Sequence, residues 1–302
     1  MTHQIDILPS DKIDKFKWDN CIARSDSGLI YAYSWYLDKL ADNWSGIVVN
    51  DYECVIAVPW RKKMGIRYCY DVPFIQQLGY YTNIETEPQL LVDAFKSFIK
   101  YGHYNFNYAN HEMDGLKGVK QRTNFIIDLI DKETITNNFS KGFKQSLKNT
   151  SQYDLTYTKG VPGEAIELYK KLYSSHVKNI FLSDYDNFLQ LAESLFSQNK
   201  CYVRKIINNN GKIVSAALLL KDDKRIYNVI NATNEEGRRS EANYLLYSEM
   251  LSEFAGTGLL FDFEGSDIPG VKSFYKKTGA VEQPYYRMHI NNLPFPLKLF
   301  KA

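Results

Sequence analysis

The sequence predicts an α/β fold of two domains in tandem, each a mixed, twisted sheet flanked by helices, over residues 1–140 and 141–302. Three observations predict it. A β-hairpin signal near residue 50 recurs near residue 210. Each hairpin is followed, after an intervening stretch, by a helix, a glycine and a strand. Each half also opens on two helical patterns. A length of 302 residues agrees with this, at about 100–200 residues per domain.

In chain order, Ile13, Phe16 and Cys21, then Trp35, Tyr36 and Leu40, recur at helical spacing. Ile47-Val48-Val49 leads through Asn50-Asp51 to a returning strand over 54–60, because Asn and Asp tolerate the positive φ of a tight turn. Leu90, Leu91, Ala94, Phe95, Phe98 and Ile99 mark a helix that Gly102 is expected to end, before a strand over 104–108. Residues 139–148 read as a basic connecting helix, and 153–158 as the first strand of the second copy. That copy repeats the order. Helical patterns run through Ile166, Leu168 and Leu172 and through Phe188, Leu191 and Leu195. A hairpin over 201–220 turns at Asn208-Asn209-Asn210-Gly211, and a strand covers 226–230. A helix from Ala242, carrying Leu245, Leu246, Met250, Leu251 and Phe254, stops at Gly256 and Gly258 before a strand over 259–263.

Composition removes several classes. Hydrophobic residues at 44% and charged residues at 24% exclude a disordered chain, collagen and a small disulfide scaffold. No apolar run approaches the roughly 18–20 residues that span a bilayer. Met1 to Asp6 carry neither a basic nor an apolar leader pattern, so a cytoplasmic protein without a transmembrane segment is expected. A net charge of +2 gives no global pull toward DNA. Cys21, Cys54, Cys69 and Cys201 lack Cys-x-x-Cys spacing and read as reduced thiols. The histidines form no His-x-x-x-His pair, so no metal site is expected. The 15% aromatic content, rich in tyrosine, suits the walls of a polar-ligand cleft and equally a tyrosine-biased core.

Three segments carry candidate chemistry. In an open α/β sheet, ligands bind where a strand's loop enters a helix. Glu236-Gly237-Arg238-Arg239-Ser240-Glu241-Ala242 is such a loop. Gly237, Arg238, Arg239, Ser240, Ala242 and Asn243 would bind a phosphate-bearing donor through backbone N–H groups and two guanidiniums. The other reading is an ordinary N-cap by Ser240 with solvated arginines. In Phe261-Asp262-Phe263-Glu264-Gly265-Ser266, alternation would put Asp262 and Glu264 on one face. Glu264 is the candidate base for an amine, and Asp262 reads as a structural acceptor. In Phe274-Tyr275-Lys276-Lys277-Thr278-Gly279-Ala280, Gly279 caps a helix, and Tyr275 one turn earlier is the candidate proton donor to a leaving group. In the N-terminal half, Trp35, Tyr36, Arg61, Gln76 and Gln77 are expected to line an acceptor cleft between the halves. Buried glutamines need partners, which a ligand or a strand edge supplies.

The C-terminal half resembles the GNAT acyltransferase fold. Residues 275–280 look like that superfamily's Tyr-x-Lys-x-Gly-Phe ending of its fourth helix. With the duplication, the basic connecting helix and residues 261–266, the chain is similar to the Fem-type (FemABX, FemAB-like) peptidyltransferases. Trp18-Asp19, residues 31–38 and Pro73-Phe74-Ile75-Gln76-Gln77-Leu78-Gly79 agree with this. Where GNAT acetyltransferases carry Gln/Arg-x-x-Gly-x-Gly/Ala, this chain has Gly237-Arg238-Arg239-Ser240-Glu241-Ala242. Ile268 stands where an Asn usually precedes the Tyr by seven residues. Both departures fit the Fem-type branch, whose donors are aminoacyl-tRNAs, and also fit a degenerate site.

The resemblance implies an N-acyltransferase with an acceptor-side N-terminal domain and a donor-side C-terminal domain. It would move an acyl or aminoacyl group from acyl-CoA or aminoacyl-tRNA, as co-substrate and not as a tightly bound cofactor, to an amine-bearing acceptor. That acceptor would be a small molecule or a cell-wall precursor, with tRNA a partner if it is the donor. The alternative is a non-catalytic tandem module that binds a ligand or partner in its aromatic cleft. Arg61-Lys62-Lys63, Arg67 and the Lys141, Lys144, Lys148 stripe are the segments that would touch RNA, and separately they read as solvated faces.

Overall fold

The computed structural model describes residues 4–298 except 83, 85–86, 176–178 and 266. In chain order the strands are β1 (Ile5–Pro9), β2 (Trp44–Val49), β3 (Cys54–Pro59), β4 (Arg61–Lys63), β5 (Ile66–Tyr68), β6 (Tyr80–Thr82), β7 (Tyr101–Phe106) and β8 (Val119–Arg122). They continue as β9 (Phe125–Asp128), β10 (Thr156–Gly160), β11 (Cys201–Ile207), β12 (Ile213–Lys221), β13 (Arg225–Thr233), β14 (Leu260–Asp262), β15 (Val281–Glu282) and β16 (Tyr285–Asn291). Two compact units hold them: residues 1–122 with 284–302, and residues 123–283.

In the second unit one sheet runs β10-β11-β12-β13-β14-β9-β15. All its neighbours are antiparallel except β13 and β14, which run parallel. In the first unit the order β1-β2-β3-β6 is antiparallel, a parallel bridge joins Leu78 to Phe106 of β7, and β16 and β8 follow antiparallel. Across that isolated bridge the first unit's two sheets follow the strand order of the second unit's single sheet, the duplication that the repeated hairpin–helix–glycine–strand order predicts. The first unit adds the β4–β5 hairpin, whose β5 pairs with β7 through Tyr68 and Tyr101.

Local chemistry accounts for the helices. Pro88 opens the Pro88–Phe98 helix, which buries Leu91, Val92 and Phe95. Ser140 accepts from the Phe143 N–H and caps the Lys141–Asn149 helix. The Ala242–Phe254 helix buries Leu246, Tyr247, Met250 and Leu251 against the second unit's sheet in a core shared with Phe125, Phe261 and Phe263. Among the described residues no helix is long and apolar enough to cross a membrane.

Three expectations are corrected. The units do not meet at 140/141. β9 pairs with β14 and β15 in the second unit, and β16 pairs with β7 and β8 in the first, so the boundaries fall at 122/123 and 283/284. Gly102 does not end a helix. It lies inside β7 at φ +123°, where a Cβ would stand 2.1 Å from the Cys69 carbonyl oxygen. The preceding helix stops at Phe98, and the following strand begins at Tyr101, earlier than predicted. The strand expected over 153–158 is Thr156–Gly160, a few residues later, and β9 precedes it in the second unit.

A buried ion pair ties the second unit's central strands together. Arg225 Nη1 donates to Asp262 Oδ2 at 2.9 Å and to Gln283 Oε1 at 2.8 Å, with the two charged side chains 2% and 1% exposed. Asp262 Oδ1 also accepts from Asn124 Nδ2 at 2.9 Å and from the Glu264 N–H at 3.0 Å. Removing one partner strands a buried charge. Asp262→Ala is therefore expected to lower stability by about 3–5 kcal/mol in chemical denaturation, and Asp262→Leu with Arg225→Met to recover most of that loss. A loss below about 1 kcal/mol in the single variant would contradict this assignment.

Candidate functional site

The parallel pairing of β13 and β14 lasts three residue pairs, from Arg225↔Leu260 to Tyr227↔Asp262. β13 then continues to Thr233 on β12 alone, while the chain after Asp262 turns away, the Phe263 N–H donating to Phe125. Against β12 the register of β13 shifts between Ile230 and Tyr227, a bulge at Asn228-Val229. The opening left between the two strands is a cavity of about 610 Å³. Asn228, Asn231, Glu241, Tyr247, Glu264 and Tyr275 are among its lining residues, and aromatic rings including Tyr169, Tyr173, Tyr244 and Phe274 make much of its wall. A volume of this size is that of a small-molecule site.

Glu264 does not continue the strand. It sits at φ +60°, a left-handed conformation uncommon outside glycine, and is followed by Gly265 at φ +33°. A Cβ on Gly265 would stand 2.2 Å from the Thr123 carbonyl oxygen, so glycine is required by close approach. The turn separates the two carboxylates that alternation would put on one face. Asp262 goes to Arg225, and Glu264 to the cavity. Glu264 keeps some surface as a residue, but its Oε1 is buried and has no hydrogen-bond partner. Burial pushes its carboxyl up to about 8. Ser266, next in the motif, lies outside the described residues.

The Pro269–Lys277 helix, opened by Pro269, brings Tyr275 into the same cavity. Burial raises the Tyr275 hydroxyl to about 12, opposed by a hydrogen bond from Tyr247 and supported by the nearby Glu264 and Asp262 charges. Tyr247 in turn accepts from Asn228 Nδ2 at 2.6 Å. Asn228 thus holds Tyr247, whose ring packs beside Tyr275 at 6.1 Å between centroids.

The loop residues divide. Gly237, Arg238 and Asn243 line the cavity, and Arg239, Ser240 and Ala242 do not. Glu235–Arg239 is a short helix of its own, closed by Ser240, whose hydroxyl donates to Glu236 O at 2.9 Å. The N-cap of the next helix is therefore Glu241, at φ +55°, and not Ser240. Arg239 is exposed and paired with Glu235. Gly237 is buried, and a Cβ there would meet the Val214 carbonyl oxygen at 2.3 Å.

In the first unit the corresponding opening is filled. Cys69 N–H donates to Tyr101 O, and Leu78 N–H to Asn105 O, each at 2.9 Å. Gln76 and Gln77 face a space of only about 20 Å³, close to the volume of one water. Gln77 donates to Gln76 Oε1 and accepts from the Tyr108 N–H. The Tyr36 hydroxyl donates to Phe74 O at 2.7 Å. Arg61 pairs with Asp42 over the Tyr70 ring. Trp35 is 37% exposed and stacks on Tyr33.

Reading the sequence did not find Asn228, Asn231, Glu241 or Tyr247 as cavity residues. Two asparagines three residues apart, within the mostly apolar stretch 226–232, were the available signal.

No family model and no curated protein matches the chain. Solved structures do. FemX is similar at 14% identity and a TM-score of 0.65 over 99% of both chains. L-PGS from Bacillus licheniformis is similar at 13% identity and a TM-score of 0.53 over 95% of both. A tandem GNAT protein from the clavulanic acid biosynthesis pathway is similar at 10% identity and a TM-score of 0.54, over 96% of this chain and 99% of that one. With the splayed parallel pair, these likenesses establish the fold: the chain has the mixed α/β, tandem GNAT fold shared by these structures.

Proposed function

We propose that the second unit is an N-acyltransferase that moves an acyl or aminoacyl group from an activated ester or thioester to an amine-bearing acceptor. The observation that carries this reading is the unpartnered, buried Glu264 carboxyl facing the same cavity as the Tyr275 hydroxyl. The acceptor nitrogen attacks the donor carbonyl, and its N–C bond forms. Glu264 takes the proton that the nitrogen loses. The donor's C–O or C–S bond breaks, and Tyr275, still protonated at neutral pH, hands its proton to the departing oxygen or sulfur. The Tyr247 hydroxyl, itself held by Asn228 on a ring packed beside Tyr275, would donate to the phenolate left behind and steady it. Backbone N–H groups of β13 beyond Tyr227, next to the bulge, are the donors for the developing oxyanion.

Glu264→Gln is expected to cut turnover by roughly 10²–10⁴-fold, the range for losing a general base, while donor binding measured by calorimetry changes little. In the wild type, turnover should climb with pH and level above about 8, and this limb should be absent from the variant. Full activity in both Glu264→Gln and Tyr275→Phe, or no transfer with any ester or thioester donor, contradicts the proposal. The latter result would favour a binding module.

The same carboxyl governs stability. Its folded value of about 8 lies above the ordinary 4.5, so the folded state holds the proton more tightly and stability falls as pH rises through that window. Denaturant unfolding at pH 5 and pH 8.5 should show the wild type losing stability relative to Glu264→Gln. Parallel behaviour of the two proteins would mean that the group is not buried uncharged.

A further inference from the structure

The β4–β5 hairpin joins the first unit's sheet by its base, where Tyr68 pairs with Tyr101 of β7 and Arg61 with Asp42. Its far end projects. Lys63 and Ile66 face each other across a two-residue turn, with Met64 at φ +50° and Gly65 at φ +81°. Met64 is 88% exposed, and a Cβ on Gly65 would meet nothing within 4 Å. The tip therefore packs on no part of the described chain.

A second apolar group stands at the same end of the sheet. β5 runs parallel to β7, and β16 runs antiparallel to it with Asn291 opposite Tyr101, the first residue of β7. The turn that precedes β5 and the segment that follows β16 thus both lie beyond the start of β7. Lys100 links them: its N–H donates to Arg67 O at 3.1 Å, and its carbonyl accepts from the Asn292 N–H at 2.7 Å. The segment after β16 exposes Phe295, at 82%, and Leu297. Exposed apolar groups gathered at one place, unlike single ones, mark an interaction surface.

Around them the charge has one sign. Lys62 stands directly opposite Arg67 across the hairpin, a like-charge pair that costs a sheet stability. Arg67 lies over the Phe98 ring, 4.4 Å from its centroid. Lys62, Lys63, Lys100 and Lys298 are exposed, and among the described residues no carboxylate pairs with any of them. Residues 60–68, 96–101 and 291–298 contain no Asp or Glu.

We propose that this end of the first unit docks on an anionic bilayer surface. The order of its groups matches the layers of such a surface. Lys62 lies two residues behind Met64, about 7 Å along a strand. Apolar groups of interfacial segments sink about 5–10 Å into the boundary between headgroups and acyl chains. With Met64 and Phe295 at that depth, the lysines stand among the lipid phosphates. An RNA would leave the apolar tip in water, and the Phe98 face on which a base would stack is taken by Arg67. A second copy docked on the same edge would set like charge against like charge. Docking of this kind is independent of acyl transfer.

Co-sedimentation of the full chain with vesicles tests it. Phosphatidylcholine vesicles carrying about one-quarter phosphatidylglycerol should bind the protein at least roughly tenfold more tightly than phosphatidylcholine alone. Added salt should weaken that binding. Lys62→Ser with Lys63→Ser should lower the affinity roughly tenfold. Met64→Ser should lower it several-fold while Met64→Leu does not, a difference that charge alone does not produce. Circular dichroism checks the fold of each variant, and should the lysine variant not fold, the two Met64 variants decide. Equal binding to both kinds of vesicle, or anionic binding unchanged in either the folded lysine variant or Met64→Ser, overturns the docking surface. Polyuridylate binding that the lysine variant abolishes, without vesicle binding, overturns it in favour of RNA. Self-association in sedimentation velocity that Met64→Ser abolishes, without vesicle binding, overturns it in favour of a second copy.

Discussion

The second unit depends on the buried Arg225–Asp262 ion pair. It sits where β13 and β14 last run side by side, and it reaches residues flanking β9 and β15 through Asn124 and Gln283. Two charges taken out of water are stable only when every remaining donor and acceptor is met, and here Asp262 also holds the Glu264 N–H. The pair therefore fixes the point beyond which the strands separate and the backbone from which Glu264 leaves the sheet. The cavity, the left-handed turn and the direction of the Glu264 carboxyl all follow from that one junction.

The two units show what such a junction permits. They share a strand order, but the first unit closes its opening with the β4–β5 hairpin and Leu78, and its glutamines satisfy one another and the backbone. The second keeps its opening as a cavity, lined in part by buried polar atoms that no other side chain meets. One topology thus carries a packed core in one copy and an aromatic-walled cavity in the other.

Much of this was legible in the residues. The hairpins at 50 and 210 and the helix end at Gly279, after Tyr275, followed from turn and cap chemistry, which is local. The unit boundaries were not, because β9 and β16 are placed by pairing partners more than a hundred residues away, and nothing local distinguishes a strand that stays from one that crosses. Glu264 and Tyr275, singled out in the sequence as base and proton donor, both line the cavity. The reason given for Glu264, strand alternation, was replaced by a left-handed turn. Glu241 escaped notice because a carboxylate in a loop expected to bind phosphate reads as a solvated charge. Only the hydrogen bond it accepts from Ser146 Oγ and its buried second oxygen show that it faces inward.

The account stands on Glu264 being a buried, unpaired carboxyl that stays protonated until the pH approaches 8. A carbon-13 NMR titration of the glutamate side-chain carboxyls, with Glu264→Gln to assign the resonance, measures this directly. The structure predicts a midpoint near 8 for Glu264. A midpoint near its ordinary 4.5 would mean a solvated or paired carboxylate, and the proposed base, with the transfer reading built on it, would fall.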